Sequence, residues 1–326
     1  MQTKSSRQKG AALITVMLVI ALVSVIAVNL GSKLQMQITR MGNLQQAEQS
    51  YWMWLSAEDV LKEALKRELN ENDGVANNQQ SWASRTGPFP VEGGQIAARV
   101  RDLSSCFNLN SMVTDEEDPG TLERRKRQYK VLLQSVELDE YQAQGLTDSL
   151  VDWIDGDTQL SGSNGAEDPD YQGLPKPYLA ANSLLLDVSE LRMIRGYSRE
   201  IVRKLRPYVC VIPNETALMI NVNTLKEEQA ALLTAVTEGK MSLQDAQSFL
   251  SNRPEAGYES NEEVDEVEAI ANVKSELNGE LSELDVESEY FQLTAYIQWG
   301  DVEMKARSVL HVNNGEVATL YRAMGE

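Results

Sequence analysis

Residues 1–30, MQTKSSRQKGAALITVMLVIALVSVIAVNL, join a short basic segment to a long apolar one. The first ten residues carry three cations and no acid, and they end in Gly10. Residues 11–30 contain no charge, and a helix of that length spans about 30 Å, the thickness of a bilayer core. Basic residues before the apolar run favour a cytoplasmic N-terminus with the bulk of the chain exported. We therefore expect a single-pass membrane anchor.

Three interpretations of this segment differ in where the chain is cut. Small residues around Ala27 suit ordinary secretory cleavage, which would remove the whole apolar run. An uncleaved signal anchor is the second interpretation. The third is a short prepilin-type leader, residues 1–10, that is removed between Gly10 and Ala11. The sequence after residue 30 favours the third.

The helical pattern continues beyond the apolar run. Residues 1–87 contain no proline, and after Gly31 apolar residues recur at steps of three and four. We predict a membrane helix over 11–30 that continues as an amphipathic helix over 31–69. Two separate helices that meet near Gly31 are the alternative. A pilin-like stalk needs this extension, whereas a cleaved signal peptide does not.

The composition restricts the chemistry that the chain can perform. Its 326 residues include 49 acids against 30 Lys and Arg, a formal net charge of −19 that argues against nucleic acid as a partner. The single histidine, His311, excludes a multi-histidine metal site. Two cysteines exclude four-cysteine zinc sites and iron–sulfur clusters. No nucleophile–base pair is evident, so we expect a protein that is not an enzyme.

Strand patterns flank the middle of the chain. Residues 70–106 include a hairpin signal over 89–103, with its turn at 92–94. Residues 286–326 predict a meander of three strands separated by turn signals, over 290–299, 303–312 and 317–321. We predict an α+β fold in which the long N-terminal helix packs on an antiparallel sheet.

Residues 107–285 predict a large inserted domain that is mostly helical. Phe107-Asn-Leu-Asn-Ser-Met112 resembles Ile220-Asn-Val-Asn-Thr-Leu225, which indicates an internal repeat with halves at about 107–206 and 220–285. Each half also contains a capping box, Asp187-Val-Ser-Glu190 or Ser260-Asn-Glu-Glu263. Chance similarity between helical segments is the alternative.

The first half carries about 27 extra residues, and they are acidic. Their carboxylates fall in two clusters, at 155–157 and 167–170, within a segment rich in glycine and serine. Oxygen ligands in a flexible loop suit a hard cation such as Ca²⁺, so we predict a site for one or two ions. A solvated acidic loop is the alternative. The candidate ligands are Asp155, Asp157, Glu167, Asp168 and Asp170.

The two cysteines, Cys106 and Cys210, lie at either end of the first half. In an oxidising compartment they could form a disulfide. Two buried free thiols are the alternative.

Residues 9–14, Lys-Gly-Ala-Ala-Leu-Ile, followed by an apolar run and a long helix, resemble the type IV pilin and type II secretion pseudopilin superfamily. In that superfamily the fifth mature residue is usually a glutamate that meets the N-terminal amine of a neighbouring subunit. Thr15 stands there in this chain. The missing carboxylate, the large insertion and the stretch from Asp152 to Asn182 resemble the type II secretion protein K family.

This resemblance implies several properties of the chain. It implies a non-enzymatic minor pseudopilin at the tip of the periplasmic pseudopilus, which starts assembly together with minor pseudopilins I and J. It implies that the anchor lies in a bacterial inner membrane with the bulk of the chain in the periplasm. It implies processing by a prepilin peptidase and contact with an inner-membrane assembly platform. It also implies calcium binding by the acidic loop.

A second functional hypothesis comes from the short paired helices around Gly196, which resemble the helix-hairpin-helix of DNA-uptake proteins. Such a hairpin binds phosphates and needs basic surroundings. A patch of six cations meets that need, although the rest of the chain is acidic: Arg192, Arg195, Arg199, Arg203, Lys204 and Arg206.

Overall fold

The computed structural model describes residues 5–84, 86–113, 119–279 and 281–325, and of residues 5–11, 86 and 119 the backbone only. The helices are α1 Ser5–Glu71, α2 Pro119–Ser135, α3 Glu140–Ile154, α4 Asp168–Gln172, α5 Arg199–Leu205, α6 Ala231–Val236, α7 Leu243–Ser251, α8 Asn261–Glu266 and α9 Glu268–Glu276. The strands are β1 Thr86–Val91, β2 Gly94–Asp102, β3 Phe107–Asn108, β4 Val209–Cys210, β5 Ile220–Asn221, β6 Leu284–Asp285, β7 Tyr290–Trp299, β8 Val302–Asn313 and β9 Glu316–Met324.

The helix predicted for 11–69 is a single helix, α1, of 67 residues and about 100 Å. It passes through Gly31 without a break, so the alternative of two helices is wrong. It ends where Gly74 adopts a φ of +89° and donates its N–H to the carbonyl of Leu69 at 2.8 Å. In the described part of the chain, α1 is the one helix long and apolar enough to cross a membrane.

The pilin-like layer is a five-stranded antiparallel sheet in the order β1-β2-β7-β8-β9, with α1 packed on one face. The predicted hairpin and meander are present, with longer strands: β1 begins at Thr86 and β9 ends at Met324. Both α1 and the sheet contribute apolar side chains to the core between them. The buried members of this core include Trp54, Leu61, Leu65, Leu69, Phe291, Leu293, Ala295 and Ile297.

A buried carboxylate fixes α1 to the last two strands. Glu58 accepts hydrogen bonds from Ser308 (2.6 Å), Thr319 (2.5 Å) and Arg322 (2.7 Å), and its carboxylate pairs with Lys62 at 2.8 Å. Burial alone would raise the pKa of Glu58, but these hydrogen bonds hold it well below its usual range. The stalk is therefore anchored by charge as well as by packing.

The inserted domain leaves the sheet at the end farther from the apolar segment of α1. At one end of the sheet the backbone N–H of Asp301 donates to Gln46 (3.3 Å), and at the other end Glu316 pairs with Lys66 (2.7 Å). Strand β2 ends and β7 begins at this second end, and residues 103–289 lie between them. The insertion thus extends from the membrane-distal end of the helix–sheet layer.

The insertion consists of two halves with the same plan. A two-residue parallel pairing closes each half, β3 with β4 and β5 with β6; the sequence predicted a mostly helical region and did not indicate these short strands. In the first half, the Asn110 side chain accepts the Leu185 N–H at 2.8 Å and donates to the Leu185 carbonyl at 3.0 Å. In the second, Asn223 does the same with the backbone of Tyr258, at 2.8 and 2.9 Å. We call each of these a backbone clamp.

Candidate metal centre

The acidic loop begins where α3 ends. An Asp139 capping box starts α3, and Asp155 is its C-cap, so helix geometry directs the first carboxylates of the loop. The chain then returns through residues 156–166 to Glu167, which precedes α4. Both ends of the loop are therefore held by helix termini.

Three of the five candidate ligands come together. Asp155, Asp157 and Glu167 each present a carboxylate oxygen within 4.8 Å of the other two. Calcium binds oxygen at about 2.3–2.6 Å, so two ligands on opposite sides of the ion lie about 5 Å apart. The spacing of the three oxygens suits one hard cation.

The other two candidates, Asp168 and Asp170, lie outside this group and have partners in the protein. Asp168 accepts the N–H of Ala180 at 3.0 Å. Asp170 pairs with Arg195 at 2.9 Å and accepts the N–H of Glu167 at 3.3 Å. These contacts hold the return segment of the loop in place. Glu167, at the start of that segment, stays with Asp155 and Asp157 in the group.

Several buried oxygens around the group have no hydrogen-bond partner among the described residues. Both carboxylate oxygens of Glu167, Oδ1 of Asp155 and Oδ1 of Asn182 are in this condition. So are Oδ2 of Asp148 and Oδ2 of Asp152, two side chains that are almost fully buried. A buried polar atom without a partner is costly, so a cation with its water shell would satisfy what the chain leaves open.

Our sequence analysis missed Asp148 and Asp152 as candidate ligands. They precede Asp155 by seven and three residues on α3, which places all three carboxylates on one helix face. Gly165 lies against the Asp152 carboxylate, because a Cβ at Gly165 would fall 1.9 Å from Oδ2 of Asp152. The helical spacing of these carboxylates was a signal that could have identified them.

The site raises the pKa of two of its carboxyl groups, Glu167 and Asp155. Burial is the main cause for Glu167, with repulsion from Asp152 and Asp155 added to it, and the pKa reaches about 7. Burial and the charges of Asp157 and Asp152 raise the pKa of Asp155 to about 6. Clustered carboxylates with raised pKa values favour a bound cation, because the cation compensates the charge that the protein leaves uncompensated.

The remaining predicted residues lie elsewhere. Cys106 and Cys210 form a disulfide with a Cα–Cα distance of 5.7 Å, which closes the first half beside the β3–β4 pair. Gly10 and Ala11 lie within α1. The hydroxyl of Thr15 donates to the carbonyl of Ala12 at 2.9 Å, so its hydrogen bond is satisfied within its own helix.

The cationic patch behind the DNA-binding hypothesis is partly neutralised. Arg195 pairs with Asp170, and Lys204 pairs with Glu137 at 2.9 Å. These pairs leave four of the six cations to meet phosphates.

A long N-terminal helix with an apolar first segment, packed on an antiparallel sheet and joined to a repeated insertion with an acidic loop, defines a pilin-like subunit with an inserted domain. Two family models, both described as type II secretion system protein K, match residues 105–214 and 220–287. Each family model covers one half of the insertion, and each half contains one of the two backbone clamps.

Relatives and a solved structure agree with this class. Type II secretion system protein K of Aeromonas hydrophila is 38% identical, over 93% of this chain and 92% of its own length. The protein of the same name from Klebsiella pneumoniae is 32% identical, over 98% and 97%. A chain in the crystal structure of the GspK-GspI-GspJ complex of enterotoxigenic Escherichia coli superposes with a TM-score of 0.77 and 31% identity, covering 88% of this chain and 99% of that chain. The chain belongs to the type II secretion system protein K family.

Proposed function

We propose that this chain is the minor pseudopilin that caps the tip of the periplasmic pseudopilus and starts its assembly with minor pseudopilins I and J. The solved complex of its relative contains subunits named GspI and GspJ, which supports I and J as partners. Prepilin peptidase would remove residues 1–10 after Gly10, and the inner-membrane platform would receive the mature subunit. We assign it no catalytic role and no nucleic-acid partner.

The position of the insertion is the observation that carries this proposal. Residues 103–289 extend from the membrane-distal end of the sheet, above the layer through which α1 packs. A filament that grows through a repeated interface needs both ends of each subunit free. In this chain only the membrane-proximal end is free, so it suits the last position of a filament.

Thr15 supports the same position independently. A carboxylate within the apolar segment would need a partner in the membrane, and the amine of a preceding subunit could supply it. Thr15 bonds its own helix and makes no such demand. A subunit that enters first has no preceding amine to meet.

We also propose that the acidic loop binds Ca²⁺. Asp155, Asp157 and Glu167 would hold the ion, with Asp152 and Asn182 able to supply further oxygens directly or through water. When bound, the ion supplies charge compensation. The chain's part is to hold three carboxylates at one point and to order the return segment through Asp168 and Asp170.

Labelling of isolated pseudopili tests the tip proposal. An epitope inserted after Gly279, which is exposed and has nothing within 4 Å of a Cβ, should label one end of each filament. The same epitope in a Gly10→Phe chain should label no filament, because an uncut subunit cannot enter one. Labels at regular intervals along the filament would overturn the proposal.

A further inference from the structure

A cationic cleft lies on the face of the sheet opposite α1. Its volume is about 400 Å³. The outward side chains of β2, β7 and β8 form the floor, and the wall is formed by Val188, Ser189, Arg192, Val202 and Arg206. The helix–sheet layer and the insertion therefore build the cleft together.

The cleft concentrates positive charge in a chain whose net charge is −19. Among the described residues that line it there is one acid, Asp187, which pairs with Arg307 at 2.5 Å. The other lining cations form no ion pair with any carboxylate that the structure describes. These five are Arg99, Arg101, Arg192, Arg206 and Lys305.

Arg101 shows that the fold tolerates unfavourable charge at this position. Burial lowers its pKa to about 10; the charge of Asp102 opposes this shift and that of Arg99 adds to it. Its guanidinium donates to the carbonyl of Pro207 at 3.2 Å, and no described carboxylate pairs with it. An anionic partner would lower the free energy of this cluster.

The register of the strands sets the shape of that partner. Arg99 on β2 and Arg307 on β8 both pair with Thr294 on β7, so they lie on either side of it, about 10 Å apart at the usual strand spacing. Along each strand the next outward cation, Arg101 or Lys305, follows after two residues, about 6.7 Å. Two cationic columns thus flank a neutral track of Gln292, Thr294 and Tyr296.

An extended polypeptide has the same repeat, because alternate side chains point to one side about 6.7 Å apart. Arginine forks also suit carboxylates, which they bind in a bidentate manner. A bilayer surface is flat and does not fit a walled cleft, and the acidic surroundings disfavour a nucleic acid.

We propose that this cleft binds an extended acidic segment, with carboxylates at alternate positions, of a soluble polypeptide that is not a filament subunit. The choice of a soluble partner rests on the proposed function. The cleft lies on the sheet face opposite α1, so a filament built through the long helices would leave this face directed outward.

The test uses the full chain in uncharged detergent micelles and a labelled peptide of four Thr-Glu repeats, with binding followed by fluorescence anisotropy. At about 50 mM salt, where surface charges are weakly screened, we expect saturable binding. The double variant Arg99→Gln/Lys305→Gln should weaken it about tenfold, the effect of losing two exposed ion pairs of about 0.7 kcal/mol each. A matched control, Arg199→Gln/Arg203→Gln, removes two exposed cations outside the cleft and should leave affinity unchanged.

A second peptide with the same composition but paired glutamates, Thr-Thr-Glu-Glu twice, tests the spacing and should bind more weakly. Equal affinity for both peptides, or displacement by excess inorganic phosphate, would overturn the proposal in favour of a general anion site. Equal loss in both double variants would overturn it as non-specific attraction.

Two measurements separate this proposal from the proposed function. Size-exclusion chromatography with subunits I and J reports assembly, which the cleft variant should retain. Peptide binding should persist in that complex. Loss of peptide binding there would show that a filament subunit covers the cleft, and preferential binding to anionic vesicles would show a membrane partner. Either result would overturn the proposal.

Discussion

The two halves of the insertion solve the same packing problem in different ways. In each, a buried asparagine clamps the backbone two residues before a capped turn, at Asp187 or at Ser260. The second half reaches its capped turn at Ser260 only ten residues after Leu250. There the Arg253 guanidinium donates to the carbonyls of Val222 and Leu225, so the chain supplies its own cation.

The first half inserts an acidic loop in the same place. Among the described residues, the ion pair that its carboxylates form is the one between Asp170 and Arg195. The two ends of the first half are joined by the Cys106–Cys210 disulfide, which has no counterpart in the second half. We therefore predict that the first half depends on its disulfide and on the proposed ion, whereas the second depends on its own hydrogen bonds and apolar core.

Removing the disulfide should have the largest effect and should act on the first half. Cys106→Ser/Cys210→Ser frees a loop of about 100 residues, a loss of about 4.7 kcal/mol in the chain-entropy model. We expect that loss in chemical denaturation under non-reducing conditions. Reducing agent should destabilise the parent chain equally and leave the double variant unchanged. A double variant as stable as the parent would contradict this dependence.

Breaking the clamps should have the next largest effect, and the two halves should respond alike. Asn110→Leu and Asn223→Leu each leave a buried N–H and carbonyl without a partner, which costs about 3 kcal/mol. Hydrogen exchange should show the loss within the half that carries the variant. A large loss at Asn110 with none at Asn223 would show that the two clamps are not equivalent.

Calcium should stabilise the first half by about 2.7 kcal/mol when its concentration is 100 times its Kd. Thermal unfolding of metal-free protein, with and without added Ca²⁺, measures this. Glu167→Gln should remove the response, because it deletes a carboxylate of the group. Glu259→Gln, in the acidic surface of the second half, is the matched control and should keep the full response.

The change in stability of the metal-free chain with pH should be the smallest of these effects. The raised pKa values of Glu167 (about 7) and Asp155 (about 6) mean that the folded state binds more protons than the unfolded state. The contribution of these two carboxyl groups to the free energy of unfolding is complete below about pH 4, where both are protonated. It is lost as pH rises through 6 to 7. Asp102 is buried and has a pKa raised to about 6, so it adds a pH dependence that the parent chain and its variants share.

The difference between the parent and Glu167→Gln isolates the site from that background. Metal-free parent protein should lose stability relative to the variant as pH rises from 5 to 8. Saturating Ca²⁺ should abolish that relative loss. A parallel pH profile for both proteins would show that Glu167 does not titrate in this range.

Much of the fold was predictable because its signals are local. The apolar run, the absence of proline before residue 88 and the turn residues between strands specify α1 and the sheet. The repeat was detectable because both halves keep the same Asn-x-Asn sequence and capping boxes. The two-residue strands were not, since two residues carry no periodicity.

Contacts distant in sequence explain what could not be predicted. The partner of Asn110 is 75 residues away, and Glu58 meets strand residues more than 240 positions later. The loop shows the same limit: Asp168 and Asp170 look equivalent to Glu167 in sequence. Only the positions of Ala180 and Arg195 separate the residues that hold the loop from those that form the group.

Hydrogen–deuterium exchange of the metal-free and Ca²⁺-bound chain tests the contrast between the two halves most directly. The account predicts that Ca²⁺ slows exchange from the end of α3 through Leu185 and leaves 220–285 unchanged. Unchanged exchange in both halves, or slowing confined to 220–285, would contradict it.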